Sequence, residues 1–300
     1  MNKNFSLGIS KPLNILDRDI RNLLYFTIEK NFLIHTSITY PINYLIIKYL
    51  LREKDRLKIN FICKILGDSL KNFENTISLT KLKYGIKKIH ILQLVNLPLK
   101  NADKRNFDSL DIYEFKKIIS AINKLKEKRI VDKFYLQVFS NDSFEFCNKI
   151  KDYVDGFAFY ANINEIHLKE KVYNLIREDN IPCMLLSIFG NPKEDKSLNH
   201  DLHLDSFEFS QTNFTNNTIA VGRTLKISRL KEISEFKISE KKKFNPKHVE
   251  TSEIQDTAKN FYERYNVTTF TYVIIFIIKC LIKRILGNVI VNFLKKKLKK

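Results

Sequence analysis

Along the chain, short unbroken apolar runs alternate with longer stretches in which apolar positions recur every three or four residues. The first pattern fits a strand buried on both faces, the second an amphipathic helix. After an opening run at 5–9, residues 33–37 (LIHTS) set the alternation going. Further strands are expected at 57–66, 89–95, 133–139, 157–161, 183–188 and 218–221. Helical periodicity covers 17–31, with Ile20, Leu23, Leu24 and Ile28 on one face, and 43–52, where Tyr44, Ile47 and Leu51 share a face. It returns from a cap at Asp68 or Ser69 to a stop at Gly85, and again at 111–128, 144–153, 168–178, 205–211 and 228–236.

Eight strands, most followed by a helix, match a closed (β/α)8 TIM barrel in number and in chain length. The run at 5–9 reads either as a barrel-bottom hairpin element or as an irregular opening strand. A doubly wound open sheet is the alternative α/β architecture. No GxGxxG follows the first strand, however, which leaves a dinucleotide site of that kind unsupported. The expected organisation is a barrel over 1–240, a linker and polar helix over 241–265, and a helical, basic and apolar tail over 266–300.

Composition bears on partners more than on fold. Hydrophobic content of 44% and charged content of 28% are those of a globular chain. The net charge of +19 favours phosphates or anionic membrane, although a general richness in Lys, Asn, Ile and Phe accounts for much of it. Cys63, Cys147, Cys183 and Cys280 have no paired spacing, so buried, reduced thiols are expected. The first residues, MNKNFSLGISKP, hold no apolar signal segment, and a cytoplasmic location is expected.

In a barrel of this type chemistry sits where strands end and loops begin. Those positions here are His35 to Tyr40, Lys64, Asn96, Ser140-Asn141, Asn162 and Gly222-Arg223-Thr224. Their order resembles the aldo-keto reductase family. The family's second strand ends close to I-D-T-A-x-x-Y, matched by Ile34-His35-Thr36-Ser37-Ile38-Thr39-Tyr40. Its third ends in a lysine, matched by Lys64. Its fourth ends near a histidine before a proline, where this chain has Asn96-Leu97-Pro98. A Ser-Asn pair follows the fifth, matched by Ser140-Asn141. The sixth carries Gln and then Asn, of which Ala158 replaces the first and Asn162 keeps the second. After the last strand, Arg223, Thr224, Arg229 and Glu232 fall where the family grips the adenosine phosphate of NADP.

The resemblance spans about residues 5–236 and implies an NADPH-dependent reduction of a small carbonyl compound (aldehyde, ketone or sugar), with NADP(H) as cofactor. Tyr40 would be the general acid and Lys64 the cation that lowers its pKa from an ordinary value of about 10. His35 occupies the place of the family's carboxylate and Asn96 that of its histidine. Neutral His35 can hydrogen-bond Lys64 but brings no negative charge, and Asn96 can donate to a carbonyl but cannot be a cation. Ser140, Asn141, Asn162, Arg223, Thr224, Arg229 and Glu232 would hold the cofactor.

Plainer readings stand beside these. Tyr40, before Pro41, also fits a rim aromatic, and His35 a core histidine. Asn96 and Asn162 fit loop ties, and Arg223 and Arg229 solvated charges, although a basic pair at a helix start makes an anion site. His200, Asp201, His203 and Asp205 lack metal-site spacing. A barrel without catalysis, binding or scaffolding at a membrane, is therefore the alternative function. The tail supports that membrane: residues 269–300 hold eight Lys or Arg and no acid. Their longest charge-free run is too short to span a bilayer, which favours an interfacial helix with a polybasic end at the inner face of the membrane. The competing reading packs this helix on the barrel or on a second copy. Nucleic acid is disfavoured, because the basic residues are interleaved with Ile and Leu instead of stacking aromatics.

Overall fold

The computed structural model describes residues 4–8, 18–40, 47, 51–100, 106–189, 202–215, 217–222, 224, 226–237 and 244–249. The expected helix at 43–52, the polar helix at 250–265, the tail at 266–300 and Arg223 lie largely or wholly outside them.

Eight parallel strands close into a barrel. They are β1 (Phe5–Gly8), β2 (Leu33–Ser37), β3 (Asn60–Ile65), β4 (Ile89–Leu94), β5 (Val131–Gln137), β6 (Gly156–Tyr160), β8 (Cys183–Leu186) and β9 (Ile219–Gly222). The run at 5–9 is therefore a full stave. It pairs with β2 through Leu7 and Ile34 and with β9 through Leu7 and Gly222, and so closes the sheet. Every stave but the polar-fringed ends is buried, because one face meets the barrel interior and the other the surrounding helices.

Strand periodicity assigns the faces. Ile34, Phe61, Cys63, Leu92, Leu136, Phe157, Phe159 and Cys183 join the outer core under the helices. Leu33, Ile62, Ile91, Tyr135, Ala158, Met184, Ile219 and Val221 form a separate inner cluster. Each buried Leu, Ile or Phe contributes about 1.5–3 kcal/mol, so a one-residue slip that exchanged the faces would be strongly disfavoured. The alternation also fixes which polar residues point inward, and those residues make the site.

Helices α1 (Arg18–Glu29), α3 (Leu70–Tyr84), α4 (Ile112–Glu127), α5 (Phe144–Ile150), α6 (Glu170–Glu178), α7 (Leu202–Thr212) and α8 (Ile227–Glu235) follow the staves. Local chemistry starts and stops them. The Ser69 hydroxyl accepts from the Asn72 N–H, and the Asp111 carboxylate from the Glu114 N–H. Helix α3 stops at Gly85, whose φ of 64° lies in the left-handed region.

One expectation is corrected. The strand expected from 57 begins at Asn60, because Arg52 pairs with Asp55 at 2.7 Å and winds 53–56 into a short helix, α2 (Glu53–Arg56). Leu57 and Lys58 complete its last turn, with the Leu57 N–H donating to the Glu53 carbonyl. Lys247–His248 form a strand, β10, parallel to β7 (Glu165–Ile166) in the loop after β6. His248 adds a hydrogen bond to the Leu168 carbonyl and an edge contact with Tyr173, so the chain leaves the barrel beside its mouth. Among the described residues no helix is long and apolar enough to cross a membrane.

Candidate active site

The inner face changes character at the C-terminal ends of β2 to β5. Below lie Leu33, Ile62, Ile91 and Tyr135; one step higher lie His35, Lys64, Gln93 and Gln137. The register sets these side by side, with His35 opposite Ile62, and Lys64 between Ser37 and Gln93. All four are buried.

They form a directed network. His35 Nε2 lies 2.7 Å from Gln93 Oε1. An amide oxygen only accepts, so the ring proton sits on Nε2. Gln93 Nε2 in turn donates to Gln137 Oε1 at 2.8 Å. Burial, with the Lys64 charge adding to it, lowers the His35 pKa to about 3, against a smaller raising effect of the Gln93 hydrogen bond. The ring is neutral at physiological pH.

Lys64 is only 6% exposed. Among the described residues no carboxylate lies within ion-pair distance of its amine, and the charge it meets is answered by a neutral imidazole. A buried cation without a counter-charge is costly, which marks the position as one kept for something other than packing.

Tyr40 follows a tight turn, its N–H donating to the Ser37 carbonyl at 2.9 Å. The turn is braced by Ser37 Oγ, which sits 2.8 Å from Thr39 Oγ1. Beneath it on the outer side, Tyr84 at the end of α3 donates its hydroxyl to the Ser37 carbonyl and meets the Thr36 hydroxyl. Burial holds the Tyr84 pKa well above its ordinary value, and the nearby Tyr40 adds to the effect. The half-buried Tyr40 thus stands on a rigid corner made by β2 and α3.

Asn96 lies just past β4, and its Oδ1 is buried without a hydrogen-bond partner among the described residues. Gly67 makes room for it: a Cβ there would fall 2.6 Å from the Asn96 carbonyl oxygen. Past β5, Asp142 closes a turn by accepting from the Phe139 N–H, which places Ser140, fully buried, and Asn141 over the barrel end. Asn141 Oδ1 is also buried without a partner among the described residues. Asn162 has a different occupation. Its Oδ1 accepts from the Asn164 and Glu165 N–H groups and holds the loop that pairs with β10.

At the last stave, Thr224 Oγ1 accepts from the Lys226 N–H at 3.1 Å and turns the chain into α8. That helix begins at Ile227 after Lys226, with no side-chain cap among the described residues, which leaves its first N–H groups for another acceptor. Arg229 stands in its first turn, with a buried Nε that has no partner among the described residues. Glu232 is engaged by His203 of α7 at 2.6 Å.

The structure therefore gathers His35 and Lys64 in one layer, sets Tyr40 three residues past the end of β2, and places Thr224 just before α8 and Arg229 in its first turn. Gln93, Gln137 and Tyr84 were not among the sequence candidates. A signal for the two glutamines existed, since each shares the inward parity of Ile91 or Tyr135 inside an otherwise apolar run. Among the described residues no group of three His, Cys, Asp or Glu is placed to hold a metal. Cys63 and Cys183 are buried, and burial raises both thiol pKa values, that of Cys183 to about 11, which makes them inert at neutral pH.

No family model and no curated protein matches the sequence. The fold has many counterparts among solved structures. An aldo-keto reductase of Bombyx mori in complex with NADP aligns with a TM-score of 0.55 at 10% identity, over 86% of this chain and 88% of that one. An aldo-keto reductase of Brucella melitensis aligns with a TM-score of 0.54 at 12% identity, over 86% of this chain and 94% of that one. At these identities the likeness is one of architecture: the protein has an aldo-keto-reductase-like (β/α)8 fold.

Proposed function

We propose that the protein is an oxidoreductase of the aldo-keto reductase type that reduces a small carbonyl compound with NADPH. The observation that carries this reading is Lys64, a buried cation without a counter-ion among the described residues, at the mouth of a barrel of that architecture. Such a charge favours the phenolate that a tyrosine leaves behind after proton donation. Tyr40, on its braced corner, is the proton donor to the forming alkoxide, and Asn96 orients the carbonyl through its amide N–H groups. His35, held neutral by burial, keeps the lysine from facing a second cation.

The residues at the other stave ends fit a nicotinamide dinucleotide. Uncapped N–H groups at α8, the Arg229 guanidinium and Thr224 suit a phosphate, and Arg223 precedes Thr224 in sequence. The buried Asn141 oxygen suits the N–H donors of a carboxamide, with Ser140 beside it. The cofactor would supply the hydride, and the chain the proton and the orientation. Asn162 and Glu232 have protein partners of their own and serve this site by shaping it. The tail at 266–300 would hold the barrel at an anionic membrane surface.

A second reading, a non-catalytic binding barrel, is favoured by one observation: among the described residues no carboxylate stands beside Lys64. The two separate in a turnover assay. Oxidation of NADPH with 4-nitrobenzaldehyde, lost in Tyr40→Phe, supports the reductase. NADPH binding with no turnover over a broad panel of aldehydes and ketones supports the binding barrel.

A further inference from the structure

The polar layer at the barrel mouth is electrically one-sided. Lys64 supplies a full positive charge on the inner face of β3. The network beside it runs from the His35 N–H to the Gln93 oxygen and from the Gln93 amide to the Gln137 oxygen, so both amide oxygens are used internally. His35 Nδ1 keeps an acceptor lone pair, which is neutral. Neither His35 nor either glutamine can carry the negative charge that a buried ammonium requires.

The opposite half of the same layer is apolar. Leu186 and Val221 line the inner face of β8 and β9, with Tyr160 packed against that cluster. On β1 the inward position is Gly8, which leaves space beside Val221. The mouth thus has a cationic, polar side at β2–β5 and a mainly apolar side at β6, β8, β9 and β1.

We infer that the site takes a ligand with a carboxylate and a short apolar body, the carboxylate serving as the counter-ion of Lys64. This rests on the proposed site for its location and names its substrate class: on the reductase reading, an oxo acid. Inorganic phosphate fits less well, because it has no apolar body to gain from Leu186 and Val221.

Calorimetric titration of the full chain tests it. The probes are 4-methyl-2-oxopentanoate, its neutral methyl ester, acetate and inorganic phosphate, each with and without saturating NADPH. The oxo acid is expected to bind at least tenfold more tightly than the ester and than acetate. Lys64→Gln should lose most of that preference and Lys64→Arg keep it, with circular dichroism confirming that each is folded. Should Lys64→Gln not fold, the comparison of acid with ester in the unaltered protein decides alone. Equal binding of acid and ester, or tighter binding of phosphate, overturns the inference. NADPH binding without oxo acid binding overturns it while leaving the reductase reading standing. Oxo acid binding without NADPH binding upholds it and overturns the reductase. No binding of either overturns both.

Discussion

At the scale of single residues, the account rests on groups whose surroundings decide their chemistry. His35 is neutral when folded, with its pKa lowered to about 3, while the unfolded chain takes up a proton near the ordinary value of 6.5. Below 6.5 the unfolded state therefore binds more protons than the native state, and stability falls as pH drops. The slope from this group approaches about 1.4 kcal/mol per pH unit between 6 and 4. Urea unfolding of the parent and of His35→Gln across that range checks it: the parent should lose stability more steeply by about that slope, and parallel curves would contradict it. Tyr40→Phe should reduce turnover by roughly 100- to 10,000-fold with little change in NADPH affinity, read by steady-state kinetics and titration. His35 and Lys64 were legible in the sequence because strand parity and a strand end mark them. Tyr84 was not: its role depends on how α3 lies across the end of β2, which no local pattern records.

At the scale of elements, the sequence carried the staves and most helices because both faces of each strand are buried and each cap has a recognisable residue. Ser69→Ala should remove the Asn72 N–H acceptor and destabilise the protein by about 1 kcal/mol, measured by chemical denaturation. Its errors have physical causes. Leu57 belongs to an apolar run, yet the Arg52–Asp55 pair winds the preceding turn and delays β3. The two-residue β7 and β10 are too short for periodicity and exist only through tertiary pairing. Gly67 links two elements of the site. An alanine Cβ would fall 2.4 Å from Leu94 Cδ1 and 2.6 Å from the Asn96 carbonyl oxygen. Gly67→Ala should therefore displace Asn96, with a stability loss of about 1–3 kcal/mol and a larger effect on carbonyl-substrate KM than on NADPH affinity. Equal KM values would detach Asn96 from substrate binding.

At the scale of the whole molecule, we propose separate tasks for the barrel and the tail. The pairing of Lys247–His248 with Glu165–Ile166 brings the chain to the mouth side at residue 249, where the basic, apolar segment follows in sequence. Full-length protein should sediment with vesicles containing anionic lipid and be released by salt, while a 1–249 truncation should stay in the supernatant. Equal sedimentation of the two would remove the membrane from the account. The central claim is narrower: the mouth of this barrel, with Lys64 in its wall and Arg229 at α8, is a nicotinamide dinucleotide site. Isothermal titration of the full chain with NADPH tests it most directly. The account predicts saturable binding with a stoichiometry of one, weakened at least tenfold by Arg229→Ala; no heat of binding at millimolar NADPH would contradict it.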